Sequence, residues 1–245
     1  MNPLDQLKLE LRESADPAKA KQLAIFFKTP DGKPANDHFL GVVVPKQRVL
    51  SKKYYSTITL KDTERLLKSP WHEERLIALF ILVLKYQKGS QNIRRQVFEM
   101  YTENIMYIDN WDLVDSSAEF IVGPWLEENP YKMKVLTNYA KSSAVWERRI
   151  AMLATFHYIK QGRADEALVV IDFLLHDKEP YIHKAVGWML REIGKRVDRK
   201  VLTTFLDSHA TMMPRIALRY AIEHLSAEQQ RSYLDMKKTS TTLYE

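Results

Sequence analysis

Trp146-Glu-Arg-Arg149-Ile-Ala-Met-Leu153 opens on an aromatic residue, sets cations two and three positions on, and then runs apolar. A looser form of the plan, an aromatic residue or Met, a cation two to four positions on and then an apolar run, recurs at Trp71-His-Glu-Glu-Arg75-Leu-Ile-Ala78, Tyr181-Ile-His-Lys184-Ala-Val-Gly-Trp188 and Met213-Pro-Arg215-Ile-Ala-Leu-Arg-Tyr220. Trp71 to Trp111 is 40 residues, Trp111 to Trp146 is 35 and Trp146 to Tyr181 is 35, which is the period of paired-helix HEAT-like repeats. One such pair cannot bury its apolar face alone. Stacked pairs can, and they curve into an α-α superhelix, a solenoid with a concave binding face.

Around these starts the apolar residues keep the i, i+3, i+4 spacing of amphipathic helices, broken by Pro, Ser, Asp or short polar turns. The spacing predicts helices over 4–14, 17–28, 46–54, 59–68, 71–87, 91–105, 111–122, 131–140, 146–161, 164–175, 181–196, 199–209, 213–224 and 226–236. The expected fold class is therefore all-α. Only 7 glycines occur in 245 residues, with no βαβ alternation, hairpin dipeptide or G-x-G-x-x-G, which argues against parallel-sheet nucleotide enzymes. One stretch departs from helical spacing: TPDGKPANDHFLGVVVP, residues 29–45, has three prolines and a β-branched run and is expected to cross the fold extended. The expectation is a single helical-repeat domain over 1–245. It comprises an N-terminal helical pair plus the extended segment at 1–45, repeats at 46–236 and a tail at 237–245.

With 45% hydrophobic residues the chain can bury a sizeable core, and its net charge of +6 and pI near 9.2 permit an anionic partner. The absence of cysteine excludes disulfides, thiolate metal sites and a cysteine nucleophile. The longest strongly apolar stretch, Leu76–Leu84, is too short for a bilayer, and MNPLDQLKLELRES lacks a signal-peptide core, so a soluble, cytoplasmic protein is expected. The seven histidines form no H-E-x-x-H, and neither G-x-S-x-G nor a P-loop is present.

The second repeat breaks the plan. In Asp109-Asn-Trp111-Asp-Leu-Val-Asp115-Ser-Ser-Ala118, a carboxylate stands where the first repeat has Arg75. At i and i+4, Trp111 and Asp115 share a stripe at the edge of the apolar arc of Val114, Ala118, Ile121 and Val122, and can face one cavity. The alternative is ordinary: Asp109 caps the helix, Asp112 and Asp115 complement its dipole, and Trp111 is core. On 181–196, Ile182, Val186, Met189, Leu190 and Ile193 form the buried arc, while Lys184, Trp188 and Arg191 share the opposite stripe. Gly187 beside Trp188 permits a close approach; Trp188 either receives a partner there or packs on the neighbouring repeat. Arg149 points into the arc of Met152, Leu153 and Phe156 and wants an anion, internal (Asp115, Glu119) or a phosphate, with Arg148 at the margin. Lys52-Lys53, Arg94-Arg95 and the cations between Lys195 and Lys200 are solvated faces or the lining of one groove. Residues 101–150 carry net −3 against +9 in the remainder, a basic surround about an acidic spot.

Asn110-Trp-Asp-Leu-Val-Asp115-Ser, Trp146-Glu-Arg-Arg149-Ile-Ala-Met-Leu and Lys184-Ala-Val-Gly-Trp188-Met-Leu-Arg191-Glu, with FLGVVVP before the repeats, resemble the AlkD-type DNA alkylation repair enzymes over roughly residues 15–235. These are HEAT-like-repeat glycosylases that remove positively charged N3- and N7-alkylated purines. The resemblance implies a monofunctional enzyme of base-excision repair that needs no cofactor and no metal. Its partner would be double-stranded DNA containing alkylated purines, with no membrane involved; a monomer is the default expectation. It makes Asp115 the catalytic carboxylate, Trp111 and Trp188 the walls flanking the lesion nucleotide, and Arg149 a DNA contact. Arg148, Lys184 and Arg191 are expected beside it on the DNA-binding face. Phe26 aligns where family members can carry a tyrosine, giving an aromatic wall without a hydroxyl, and Asn110 stands where some have a further tryptophan. Two competing readings are a non-catalytic repeat module that binds structured nucleic acid and is indifferent to Asp115, and a protein-interaction scaffold with exposed apolar ridges.

Overall fold

A computed structural model describes residues 2–27, 37–127 and 129–236, and these form sixteen α-helices and one 3₁₀ turn without a β-strand among them. They fall into two compact units, Met1–Asn129 and Pro130–Glu245.

The first unit holds α1 (Pro3–Glu13), α2 (Pro17–Phe26), α3 (Val44–Tyr54), α4 (Leu60–Leu67), α5 (His72–Lys88), α6 (Gln91–Glu103), the 3₁₀ turn Ile105–Tyr107, α7 (Trp111–Asp115) and α8 (Ala118–Glu127). Helix α5 is its axis. The run Leu76–Leu82 is apolar on every side and buried, as a helix wrapped by neighbours must be, and α3, α4, α6 and α8 pack round it. Its first turn also carries the charges that fasten the N-terminal segments. Buried Glu74 pairs with Lys8 and Arg12 of α1, each at 2.9 Å. Glu73, also buried, accepts the backbone N–H groups of Leu40 (3.0 Å), Gly41 (2.8 Å) and Val42 (3.3 Å). One carboxylate thus satisfies three buried donors of a segment that has no strand partner. His38 pairs with Trp71 in a single parallel bridge. The extended crossing expected over 29–45 is present over residues 37–43, while Val44 and Pro45 already open α3, where proline suits the first turn; residues 29–36 and the 237–245 tail lie outside the described residues. Gly41 turns it at φ +81°, a conformation that disfavours side chains, and a β-carbon there would lie 2.1 Å from the Asp16 carbonyl oxygen.

The second unit holds α9 (Lys132–Ala140), α10 (Val145–Ala154), α11 (Phe156–Ile159), α12 (Asp165–Leu174), α13 (Pro180–Arg196), α14 (Arg199–His209), α15 (Arg215–Ala221) and α16 (Ala227–Asp235). Helix α13 buries the arc expected of it, Ile182, Val186, Met189, Leu190 and Ile193. Its two glycines let neighbours in. A β-carbon on Gly187 would meet the Ala217 carbonyl oxygen of α15 at 2.3 Å, and one on Gly194 would meet Leu202 of α14 at 2.5 Å. The close approach at Gly187 is therefore made by α15.

Two expected helices are interrupted. The helix predicted over 111–122 breaks between α7 and α8, where the buried Ser117 hydroxyl donates to the Leu113 carbonyl (2.6 Å) and lies 3.1 Å from the Tyr101 hydroxyl. The one predicted over 146–161 breaks at Thr155, whose hydroxyl donates to the Met152 carbonyl at 2.6 Å. In both, a hydroxyl returned to the preceding turn competes with the helical ladder.

Within each unit the repeats are joined by arginines that reach 32 residues forward. Arg75 donates to the Tyr107 carbonyl (3.2 Å), Arg149 to the Tyr181 carbonyl (2.5 Å), and Arg191 pairs with Glu223. The recurring cation of the sequence repeat is thus, in two of these cases, a tie to the turn that begins the following one.

Candidate active site

Helix α7 has five residues and starts from Asn110, whose backbone is extended (φ −143°, ψ 156°) and whose side-chain oxygen accepts the Trp111 N–H at 2.8 Å. Asn110, not Asp109, is the cap. Asp109 instead receives Arg75 Nη1 at 2.6 Å, because the buried guanidinium reaches forward to this turn. Val114, Ala118, Ile121 and Val122 are buried as expected, and Trp111 and Asp115 are both half-buried at the edge of that arc.

Trp111 rests on an aromatic floor. Phe27 stacks beneath it with ring centroids 5.4 Å apart and an interplanar angle of 16°, and Phe26 meets it edge-on at 6.0 Å. Phe27 stacks in turn on Phe39 at 5.5 Å. Phe26 is 66% exposed, so it adds a wall to Trp111 that no core packing explains. Beneath lies His72, 2% exposed, with Phe27 at 4.7 Å and Phe39 at 5.0 Å from its ring. Its Nδ1 is 2.9 Å from Asp37 and its Nε2 is 2.8 Å from Asp112. Burial pushes the imidazole down, but the hydrogen bonds to Asp112 and Asp37 outweigh it and hold the group up at about 9.

In the second unit Arg149 is buried, as its inward position required, and at least one of its donors is on the Tyr181 carbonyl. Arg148 is fully occupied on its own side: Nε and Nη2 take both oxygens of half-buried Asp177 at 2.6 and 3.2 Å, and Nη1 takes the Ser142 and Ser143 carbonyls at 3.0 Å each. Trp188 is half-buried, edge-on to Phe156 at 5.6 Å. Of its stripe, Lys184 is exposed, while Arg191 is bound to Glu223 and lies 3.6 Å from Glu192.

The family resemblance named Phe26 and Trp111 as separate aromatic walls, and nothing in the sequence reading joined them or found Phe27, Phe39, Asp37, Asp112 and His72 beneath Trp111. The available signal was His72 itself, a polar ring in the charged first turn that precedes the buried apolar run Leu76–Leu82. Among the described residues no group of three or more His, Asp or Glu is placed to hold a metal ion, and no helix is long and apolar enough to cross a membrane.

The profile of the family described as DNA alkylation repair enzyme matches residues 7–225. Among solved structures, a chain described as "Predicted DNA alkylation repair enzyme from Enterococcus faecalis" superposes with a TM-score of 0.67. It is 17% identical, with 87% of this chain and 98% of that one covered, and the likeness is one of fold. No curated protein matches the chain significantly.

Proposed function

The chain belongs to the DNA alkylation repair enzyme family, and from that premise we propose that it is a monofunctional DNA glycosylase acting on N3- and N7-alkylated purines in double-stranded DNA. The observation that carries this reading is the pairing of Trp111 and Asp115 on one short helix, with the tryptophan braced by Phe27 and flanked by exposed Phe26.

Alkylation at N3 or N7 leaves the purine cationic. As the bond from C1′ to the base nitrogen breaks, the electron pair leaves with the base, which departs neutral, and positive charge passes to the sugar. Asp115 is the proposed carboxylate that stabilises this oxocarbenium-like sugar and orients the water that adds to C1′, releasing a proton and leaving an abasic site. A fixed charge of this kind contributes about 3 to 4 kcal/mol, by analogy with oxyanion holes. Trp111 and Trp188 are the proposed flanking walls, favouring a cationic purine by about 0.5 to 2 kcal/mol each. Lys184, Arg149 and Arg191 are the proposed backbone contacts, and Arg148 braces the helix that carries Arg149. The enzyme is proposed to act as a cytoplasmic monomer without metal or cofactor.

The test is release of free base from duplex DNA treated with a methylating agent. Wild type is expected to release 3-methyladenine or 7-methylguanine, and Asp115→Asn to release none while binding the DNA within about threefold of wild type, a margin under 1 kcal/mol. Salt-sensitive binding with no release by wild type would instead support a non-catalytic module. Equal loss of binding and release in Asp115→Asn would remove the assigned role of the carboxylate.

A further inference from the structure

Asp37, His72 and Asp112 come from the extended segment, the start of α5 and α7, and they meet in a row at 2.9 and 2.8 Å. An ionised carboxylate only accepts hydrogen bonds. An imidazole whose two nitrogens both face carboxylates therefore carries hydrogen on both, and it is an imidazolium. The charged groups facing it account for that charge: Asp37 and Asp112, with side chains 10% and 13% exposed, and Arg75 one turn along α5. Arg75 takes the other oxygen of Asp37 and reaches on to Asp109. Neutral His72 would leave two largely buried carboxylates, Asp37 and Asp112, against one guanidinium that half-exposed Asp109 also claims, which is costly. The value of about 9 for the imidazole agrees.

Helix α7 is too short to hold its own orientation, since five residues do not complete enough hydrogen-bonded turns to be stable alone. Its position is set by what holds it. His72 does so by two routes, directly through Asp112 and through the ring of Phe27, on which Trp111 stacks. We propose that His72 is a positioning residue, an imidazolium clamp that fixes α7 and thereby aims Trp111 and Asp115. Its catalytic consequence rests on the glycosylase reading above; its effect on Trp111 does not.

The experiment uses the full chain, labelled with ¹⁵N-histidine and with 5-fluorotryptophan. At pH 7.5 both ring nitrogens of His72 are expected to be protonated, titrating well above an ordinary histidine. In His72→Gln and in Asp112→Asn the Trp111 fluorine resonance, assigned by its loss in Trp111→Phe, is expected to shift while those of the other four tryptophans stay within their wild-type positions. Single-turnover release of 3-methyladenine is expected to slow at least tenfold, with DNA affinity within threefold. Wild-type release is expected to fall as pH rises through about 9, and the His72→Gln rate to be flat there. A single protonated nitrogen at pH 7.5, or an unchanged Trp111 resonance in both variants, overturns the clamp. Release at the wild-type rate in both overturns its catalytic consequence. If His72→Gln does not fold, Asp112→Asn keeps the ring and decides alone. If wild type releases no base, the glycosylase reading falls, while the imidazole and Trp111 resonances still decide the clamp.

Discussion

Gly187 and Ala217 bring the backbones of α13 and α15 so close that a β-carbon on the glycine would stand 2.3 Å from the alanine's carbonyl oxygen. The opposing atom is main chain, which cannot rotate away. Gly187→Ala is therefore expected to destabilise by about 2 kcal/mol, since overpacking exceeds the roughly 0.5 to 1 kcal/mol that alanine gains over glycine in a helix. Urea denaturation measures it. A midpoint at or above wild type would show that the two helices are free to separate.

Glu73 holds three backbone donors with one carboxylate. Glu73→Gln keeps the shape but removes the charge and turns one acceptor into a donor facing N–H groups. The expected loss is about 2 kcal/mol of unfolding free energy. Amide exchange at Leu40, Gly41 and Val42 is expected to accelerate more than exchange in α13.

Arg148 and Lys184 are expected to separate cleanly. Arg148→Ala leaves the half-buried Asp177 carboxylate with the Glu179 N–H but no cation and is expected to lower stability by about 2 kcal/mol, a reduced value because both side chains keep some exposure. Lys184→Ala, at an exposed position, is expected to leave stability within about 0.5 kcal/mol. It is also expected to weaken DNA binding and reduce the salt dependence by about one counterion. Thermal unfolding and a salt titration of DNA affinity on both variants test the pair.

The His72 clamp gives the fold a pH signature. The folded value, about 9, lies above the unfolded value of 6.5, so its stabilisation is complete below pH 6.5 and is lost as pH rises through about 9. Unfolding free energy of wild type is expected to decline between pH 7 and 10. Subtracting the profile of His72→Gln should leave that decline in the difference; a flat difference would contradict the charged imidazole.

Much of the fold was legible because its signals are local. The helix expected at 199–209 begins and ends there, since Asp198 caps it and accepts the Lys200 N–H at 2.8 Å. The break after Asp115 was not legible, because the buried Ser117 that accompanies it also meets Tyr101, 16 residues away. The site divides in the same way. Trp111 and Asp115 could be paired from an i, i+4 spacing, whereas the partners of His72 lie 35 and 40 residues off. Arg149 was correctly turned inward, but a neutral carbonyl among its partners carries no charge signal a sequence could reveal. The asparagine cap of α7 was hidden by an adjacent aspartate of equal capping strength, whose oxygen Arg75 claims first.

The forward-reaching arginines count residues. Arg75 to Tyr107, Arg149 to Tyr181 and Arg191 to Glu223 each span 32 positions. One residue gained or lost between the ends of a tie rotates its helical partner by about 100° and carries the acceptor out of reach. A single-residue insertion or deletion in these stretches is therefore expected to break a tie, whereas the connections that no arginine bridges, or a whole repeat, can change length without that loss.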